Sequence, residues 1–255
     1  MNRNIALLTD FGTADWFAAS MKGVILSINP AAVITDITHD IPPGDIQSAA
    51  FCLRSCFSCF PKETVFAVVV DPGVGGKRSA IAVKAGEYFF VGPDNGVFSA
   101  AVENVSDVEI RSITSPACMR SRISATFHGR DIFAPAAARL SLGFPFEDVG
   151  PVLTGMIRYP IPVAETEGER ICGTVLYIDR FGNVITNIPP TLVPHGKDRL
   201  QVADNAFPLR TCYTDVAEGE LVALTGSCGF IEFSINKGNA AQHMGCKAGD
   251  RVVVG

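Results

Sequence analysis

The chain has 255 residues, 47% apolar and 18% charged, and its 21 basic and 26 acidic side chains give a formal net charge of −5. That balance excludes a disordered chain, and the length suits one large domain or two modest ones, each able to bury a core. No basic block offers a footprint for a phosphate backbone, and the longest strongly apolar run, Val65 to Val70, falls far short of the roughly 20 residues that span a bilayer, so neither nucleic acid nor membrane is an expected partner.

Strand and helix signals alternate through the first part of the chain. Residues 4–9 form a short apolar run; only Ile5 to Leu8 follow Arg3 before Asp10, too little for the apolar core of a signal peptide, which points to the cytoplasm. Residues 14–28 are helix-periodic and end before Pro30, and residues 32–37 are rich in β-branched side chains. Residues 45–60 again predict a helix, with Ile46, Ala49, Ala50, Leu53, Phe57 and Phe60 spaced at three and four. Its Cys52, Cys56 and Cys59 resemble the iron–sulfur signature of radical S-adenosylmethionine enzymes, but Ser58 stands where that pattern has an aromatic residue. The three cysteines fall along one helix face, where they are expected to pack as small buried hydrophobes. The other five are scattered singly, so eight thiols without a disulfide are expected.

The Val-rich run 64–70 reads as a strand buried on both faces of a mostly parallel sheet. Strands at 79–83 and 88–91, a short helix at 96–105 and an Ala-rich helix at 130–142 complete an α/β domain expected over residues 1–155. Pro145, Pro151, Pro160 and Pro162 crowd a candidate linker at about 143–165. Beyond it, short runs at 171–179, 184–188, 199–202, 220–224, 230–235 and 251–254 predict a small all-β barrel over residues 165–255.

Asp10-Phe11-Gly12 ends the first strand, at the crevice position where open α/β sheets bind ligands. A carboxylate there suits a ribose diol or, equally, an N-cap of the next helix. The three letters spell a kinase magnesium motif, but no glycine-rich phosphate loop or H-R-D accompanies them. Asp71-Pro72-Gly73-Val74-Gly75-Gly76-Lys77-Arg78 follows the Val-rich strand, and its glycines admit close approach to a ligand. A dinucleotide fingerprint would need a third glycine where Arg78 stands, so NAD is disfavoured, and a loop held by an Asp–Arg ion pair is the plainer alternative. Thr126-Phe127-His128-Gly129-Arg130-Asp131 opens the Ala-rich helix, whose positive end biases His128 toward the neutral form. His39, His195 and His243 show no metal-ligand spacing with it, and neither a metal nor a cofactor is expected.

Taken in order, Leu7 to Gly12, Met21 to Ile25, Asp36 to His39, the Asp71 to Arg78 loop, Val91 to Ser99, Thr126 to Ala138, Ile178 to Ile188 and Gly226 to Ala241 resemble one family. It is the S-adenosylmethionine hydroxide adenosyltransferases, the adenosine-forming S-adenosylmethionine hydrolases related to fluorinase and chlorinase. The resemblance implies an α/β domain followed by a β-barrel, and a homotrimer with active sites between the N-domain of one subunit and the C-domain of its neighbour. It implies hydrolysis of S-adenosyl-L-methionine to adenosine and L-methionine by attack of water or hydroxide on the ribose C5′.

In the same way it implies that Asp71, Arg78 and His128 handle the water; the halide-using relatives carry other side chains at the Asp and His positions. Asp10 would hold the ribose hydroxyls, Asn183 and the Ala240 backbone the adenine edge, and Tyr213 and Phe181 would pack around adenine. Asp179 and Ser227 would meet the methionine amino and carboxylate groups, while Gly44 and Cys228 depart from the residues the halide-using relatives place there. The departing thioether is neutral and needs no acid, so the demand falls on the nucleophile. Arg78 supplies positive potential, and Asp71 or His128 takes the proton while the other orients it. A non-catalytic S-adenosylmethionine or adenosine sensor and a halide-dependent adenosyltransferase are the competing readings.

Overall fold

In the computed structural model residues 3–255 are described, and the chain divides into two compact units, Met1–Pro160 and Ile161–Gly255. The first runs β1 (Ile5–Thr9), α1 (Phe17–Ile28), β2 (Ile34–Thr38), α2 (Ile46–Cys56), β3 (Val65–Val69), β4 (Ala80–Ala85), β5 (Tyr88–Pro93), α3 (Ser99–Val102), β6 (Val108–Ser112) and α4 (Ala134–Ser141). Its six strands lie in the order β2-β1-β3-β5-β4-β6. Parallel pairing joins β2 to β1, β1 to β3 and β3 to β5, whereas β4 pairs antiparallel with both β5 and β6. The sheet is therefore mixed: the mostly parallel array expected is present, and the tight β4–β5 hairpin inserts one reversed strand into it.

Every residue of β1 and β3 is buried, and their alternation serves two cores. Ile5, Leu7, Val65, Ala67 and Val69 face one way, onto Met21, Ile25 and the alanines of α4. Ala6, Leu8, Phe66, Val68 and Val70 face the other, onto Ala49, Leu53, Ala101 and Val102. Both strands end at the same level, since Thr9 pairs with Val69. Asp10, directly after β1, and Asp71, two residues past β3, thus both stand at the carboxyl edge of the sheet.

Several boundaries differ from the sequence reading. Helix α1 starts at Phe17, behind a run of bends over residues 13–16. The helix expected at 96–105 contracts to the single turn α3, and that at 130–142 splits into a π-helical turn, Gly129–Phe133, followed by α4. Strand β6 was not anticipated: its half-buried edge sequence, with Glu109 and Arg111 among apolar residues, lacks the apolar density of β3.

The second unit contains β7 (Glu165–Glu167), β8 (Arg170–Ile178), β9 (Val184–Thr186), β10 (Arg199–Val202), β11 (Asn205–Pro208), β12 (Leu221–Thr225), β13 (Ile231–Ile235), the short helix α5 (Ala240–Met244) and β14 (Arg251–Val254). The strands form one antiparallel sheet in the order β11-β10-β14-β8-β9-β13-β12, with β7 added beside β8. The ends of this order meet where Leu209 bridges Ala223 and Arg210 N donates to Ala223 O, so the sheet nearly closes into a barrel. Phe207 and Phe233 meet edge to face in its core. Among the described residues no helix is long and apolar enough to cross a membrane.

Candidate active site

At the end of β1, Asp10 Oδ2 accepts a hydrogen bond of 2.8 Å from Gly44 N, which places Gly44 at the carboxylate itself. Asp10 does not cap a helix: Trp16 occupies that position for α1 and offers no side-chain cap. The turn around Asp10 is held by Thr9 Oγ1, which accepts from Phe11 N and meets His39 Nδ1 at 2.8 Å, and by His39 O, which accepts from Gly12 N. Burial raises the Asp10 pKa; the Gly44 N–H opposes that, and the nearby charge of Asp71 adds to it.

Asp71 and Arg78 form a buried, forked ion pair. Arg78 Nε lies 3.0 Å from both Asp71 oxygens, and Nη2 donates to Oδ2. The same Nη2 reaches His128 Nδ1 at 2.7 Å, so the three side chains make one continuous chain, Asp71–Arg78–His128. The guanidinium also lies over the Phe133 ring, 5.3 Å from its centroid. The loop that carries Asp71 and Arg78 needs glycine at Gly75, where φ is +75° and a Cβ would stand 2.2 Å from Ala125 O. Asn95 Nδ2 donates to Val70 O at 2.8 Å and fixes the backbone immediately before Asp71.

His128 enters just ahead of the π-helical turn, and that turn is anchored by fully buried Asp131 on Arg130 and on Ser124 N. Burial, then the charge of Arg78, holds the His128 pKa below its ordinary 6.5, with Asp71 and Asp131 opposing. A guanidinium only donates, so Nδ1 is the acceptor and neutral His128 carries its proton on Nε2. Asp10, Asp71 and His128 line one cavity of about 200 Å³, closed by Phe11, Phe17, Val74 and Phe127. The aromatic wall was missed from the sequence, although Phe11 and Phe127 directly follow or precede residues singled out there; Phe17 carried no signal beyond helix periodicity.

In the second unit, Asp179, Phe181, Asn183 and Tyr213 line one cavity of about 630 Å³, together with Thr214, Asn236 and Lys237. The Asp179 carboxylate organises its own turn: Oδ1 accepts from Phe181 N and Asn183 N, and Oδ2 accepts from Asn183 Nδ2 at 2.8 Å. Gly182 has φ +84°, and a Cβ there would lie 2.2 Å from the Asn239 amide, so this turn packs directly on the start of α5. Ala241 N donates to Gly182 O across that contact. Ala240 is fully buried beside it, and Ser227 is exposed in the turn after β12; neither lines the cavity.

No disulfide joins the eight cysteines. The expected buried cysteine face is only partly so: Cys52 and Cys56 are half-buried, but Cys59 is exposed because the helix gives way to a 3-10 turn at Phe57–Cys59. Burial, with Cys52 and Cys59 adding to it, pushes the Cys56 thiol up to about 12, which keeps it protonated and unreactive. Among the described residues no group of three or more His, Cys, Asp or Glu side chains is placed to hold a metal ion.

Comparison with known proteins gives a consistent picture. Residues 5–150 match the model of the SAM hydroxide adenosyltransferase N-terminal domain, and residues 173–253 that of the C-terminal domain. The chain is 38% identical over 253 residues to (R)-S-adenosyl-L-methionine hydrolase from Salinispora tropica, covering 98% of this chain and 97% of that one. It is 27% identical over 290 residues to fluorinase from Actinoplanes sp., covering 99% and 97%. The crystal structure of an uncharacterized conserved protein from Thermotoga maritima superposes with a TM-score of 0.92 at 39% identity, covering 98% of this chain and 99% of that one.

Proposed function

The chain belongs to the SAM hydroxide adenosyltransferase family, and from that premise we propose that it hydrolyses S-adenosyl-L-methionine to adenosine and L-methionine. The observation that carries this reading is that Asp10, Asp71 and His128 line one cavity while Arg78, behind its wall, hydrogen-bonds both Asp71 and His128. Water attacks the ribose C5′ in line with the C5′–S bond; the C5′–O bond forms as the sulfonium takes up the bonding pair and leaves as neutral methionine. Loss of positive charge on sulfur makes the leaving group self-sufficient, so the residues act on the nucleophile and its alignment.

Bulk water, with a pKa of about 15.7, is a poor proton donor to a carboxylate. As the C5′–O bond forms, the attacking oxygen becomes a protonated alcohol and a strong acid, and the transfer becomes downhill. The hydrogen-bond pattern supports one division of the two roles that sequence left open. With Nδ1 accepting from Arg78, His128 meets the water as an Nε2–H donor and orients it. Asp71 Oδ1 accepts one bond from Arg78 and keeps capacity for the departing proton. Arg78 holds both partners and supplies positive potential in a site sheltered by Phe11, Phe17 and Phe127.

Asp10 would bind the ribose hydroxyls. The second unit would bind the remainder of the substrate: Phe181 and Tyr213 against the adenine faces, Asn183 at its edge, and Asp179 and Ser227 at the methionine ammonium and carboxylate, whereas fully buried Ala240 has no exposed backbone to offer. The family resemblance is the ground for placing the chain in a homotrimer in which neighbouring subunits complete each other's sites. The absence of a membrane-crossing helix among the described residues is compatible with action in the cytoplasm, where we place it.

The test is chromatography of the purified chain incubated with S-adenosylmethionine. Equimolar adenosine and methionine are expected. Substrate that co-elutes intact with the protein would make it a sensor, and 5′-chloro-5′-deoxyadenosine formed only with chloride would make it a halide adenosyltransferase.

A further inference from the structure

Glu232 is a buried carboxylate in β13, 5% exposed, and two hydroxyls donate to it. Tyr213 Oη donates to Oε1 at 2.7 Å, and Ser234 Oγ donates to the same oxygen at 2.9 Å. The other oxygen faces Gly226, where a Cβ would come within 2.6 Å of Oε2. Burying a carboxylate is expensive, and on this face of β13, opposite the core-facing Ile231 and Phe233, an apolar side chain of similar volume would be the cheaper occupant. The fold alone therefore gives no reason for an acid at this position.

Its partner supplies one. Tyr213 is 40% exposed and its ring lines the cavity of the second unit, while its hydroxyl is drawn inward to the sheet. The backbone at Tyr213 is held independently, because Asp215 accepts from Thr211 N, Thr211 Oγ1 and Cys212 N in the turn that presents it. Fixed at the backbone and at the hydroxyl, the ring has one orientation left. Burial and Glu232 both raise the pKa of the hydroxyl, which stays a neutral donor. The Oε2 side of the same carboxylate abuts Gly226, at the root of the turn that carries Ser227.

We propose that Glu232 is a positioning residue for substrate recognition, holding the Tyr213 ring as a flat wall for a purine base and setting the Gly226 turn beside it. The proposal rests on the reading of an adenosyl substrate given above. Glu232 acts through Tyr213 and touches no reacting atom, so its removal should weaken binding uniformly in ground and transition states.

The test is steady-state kinetics with S-adenosylmethionine, with adenosine affinity by calorimetry. Losing a hydrogen bond to a charged acceptor corresponds to about a tenfold change or more. E232A is expected to raise KM about tenfold with kcat within about twofold, and E232Q, which keeps an acceptor oxygen, to restore most of the affinity. Y213F keeps the ring and loses the tether, and should raise KM in the same direction. The double variant E232A/Y213F should be no worse than E232A alone, the non-additivity of a shared contact. If E232A does not fold, Y213F and E232Q still decide the matter through adenosine affinity. Wild-type KM in Y213F, or a fall in kcat in E232Q with KM unchanged, would overturn the proposal while wild-type turnover left the hydrolase reading intact. A wild-type chain that releases no adenosine would overturn both.

Discussion

In the first unit Asp71, Arg78 and His128 direct their hydrogen bonds at one another around a cavity of about 200 Å³, whereas in the second Phe181 and Tyr213 leave 74% and 40% of their surface exposed beside one of about 630 Å³. One region is a rigid set of charges held to fixed geometry; the other is a slot of rings and amides. Charges organised in advance lower a barrier because they need no rearrangement when the transition state forms. Rings and amides hold a flat ligand and give much the same affinity before and during reaction. On the roles proposed above, kcat rests on Asp71, Arg78 and His128 and KM on the second unit together with Asp10, and substitutions in each can break that division.

The largest effect is expected at Arg78. Arg78→Ala removes the only bridge in the Asp71–Arg78–His128 chain and should lower kcat by about 10³-fold with little change in KM. Arg78→Lys should recover little of it, because an ammonium cannot reproduce the fork onto Asp71. His128→Ala should cost about 10²-fold in kcat, measured as adenosine formed per minute. Its working form is neutral and its pKa lies below 6.5, so turnover should hold through neutral pH and fall only as pH drops below that value. Protonation there removes the Nδ1 acceptor and sets a second positive charge against Arg78. An acid limb centred above 6.5 would contradict a His128 held below its ordinary pKa by burial and Arg78.

Phe181→Ala belongs to the other side of the comparison and should raise KM about tenfold while kcat stays within about twofold, the consequence of losing one stacking face. A comparable fall in kcat would mean that the two regions do not divide the work this way. The smallest effect is expected at Cys59, exposed and outside both cavities, where Cys59→Ser should change stability by less than about 0.5 kcal/mol in denaturant unfolding and leave both kinetic constants alone.

Much of the first region was legible because its signals are local and backbone-driven. The Val-rich run that became β3 announces a strand buried on both faces, and a strand of that kind in an α/β sheet places the following Asp71 at the ligand edge. The bond from Arg78 to His128 was not legible, since it spans 50 residues and depends on Gly75 allowing the loop to approach Ala125. Strand β6 escaped notice because an edge strand half in water carries mixed polarity, and the mostly parallel sheet expected left the reversed direction of the single strand β4 unnamed. In the second region, Asp179, Phe181, Asn183 and Tyr213 were named only through family resemblance, because turn residues and lone aromatics resemble any hairpin. Glu232 was hidden for a related reason: in a strand sequence an acid usually faces solvent, and only the fold reveals that this one faces Tyr213.

The most direct test of water attack at C5′ is to run the reaction in water enriched in oxygen-18 and locate the label by mass spectrometry. Adenosine carrying one heavy oxygen at its 5′ position, released with unlabelled methionine and lost in parallel in the Arg78→Ala variant, is the expected result. Adenosine without the label, or label that enters equally in wild type and Arg78→Ala, would contradict it.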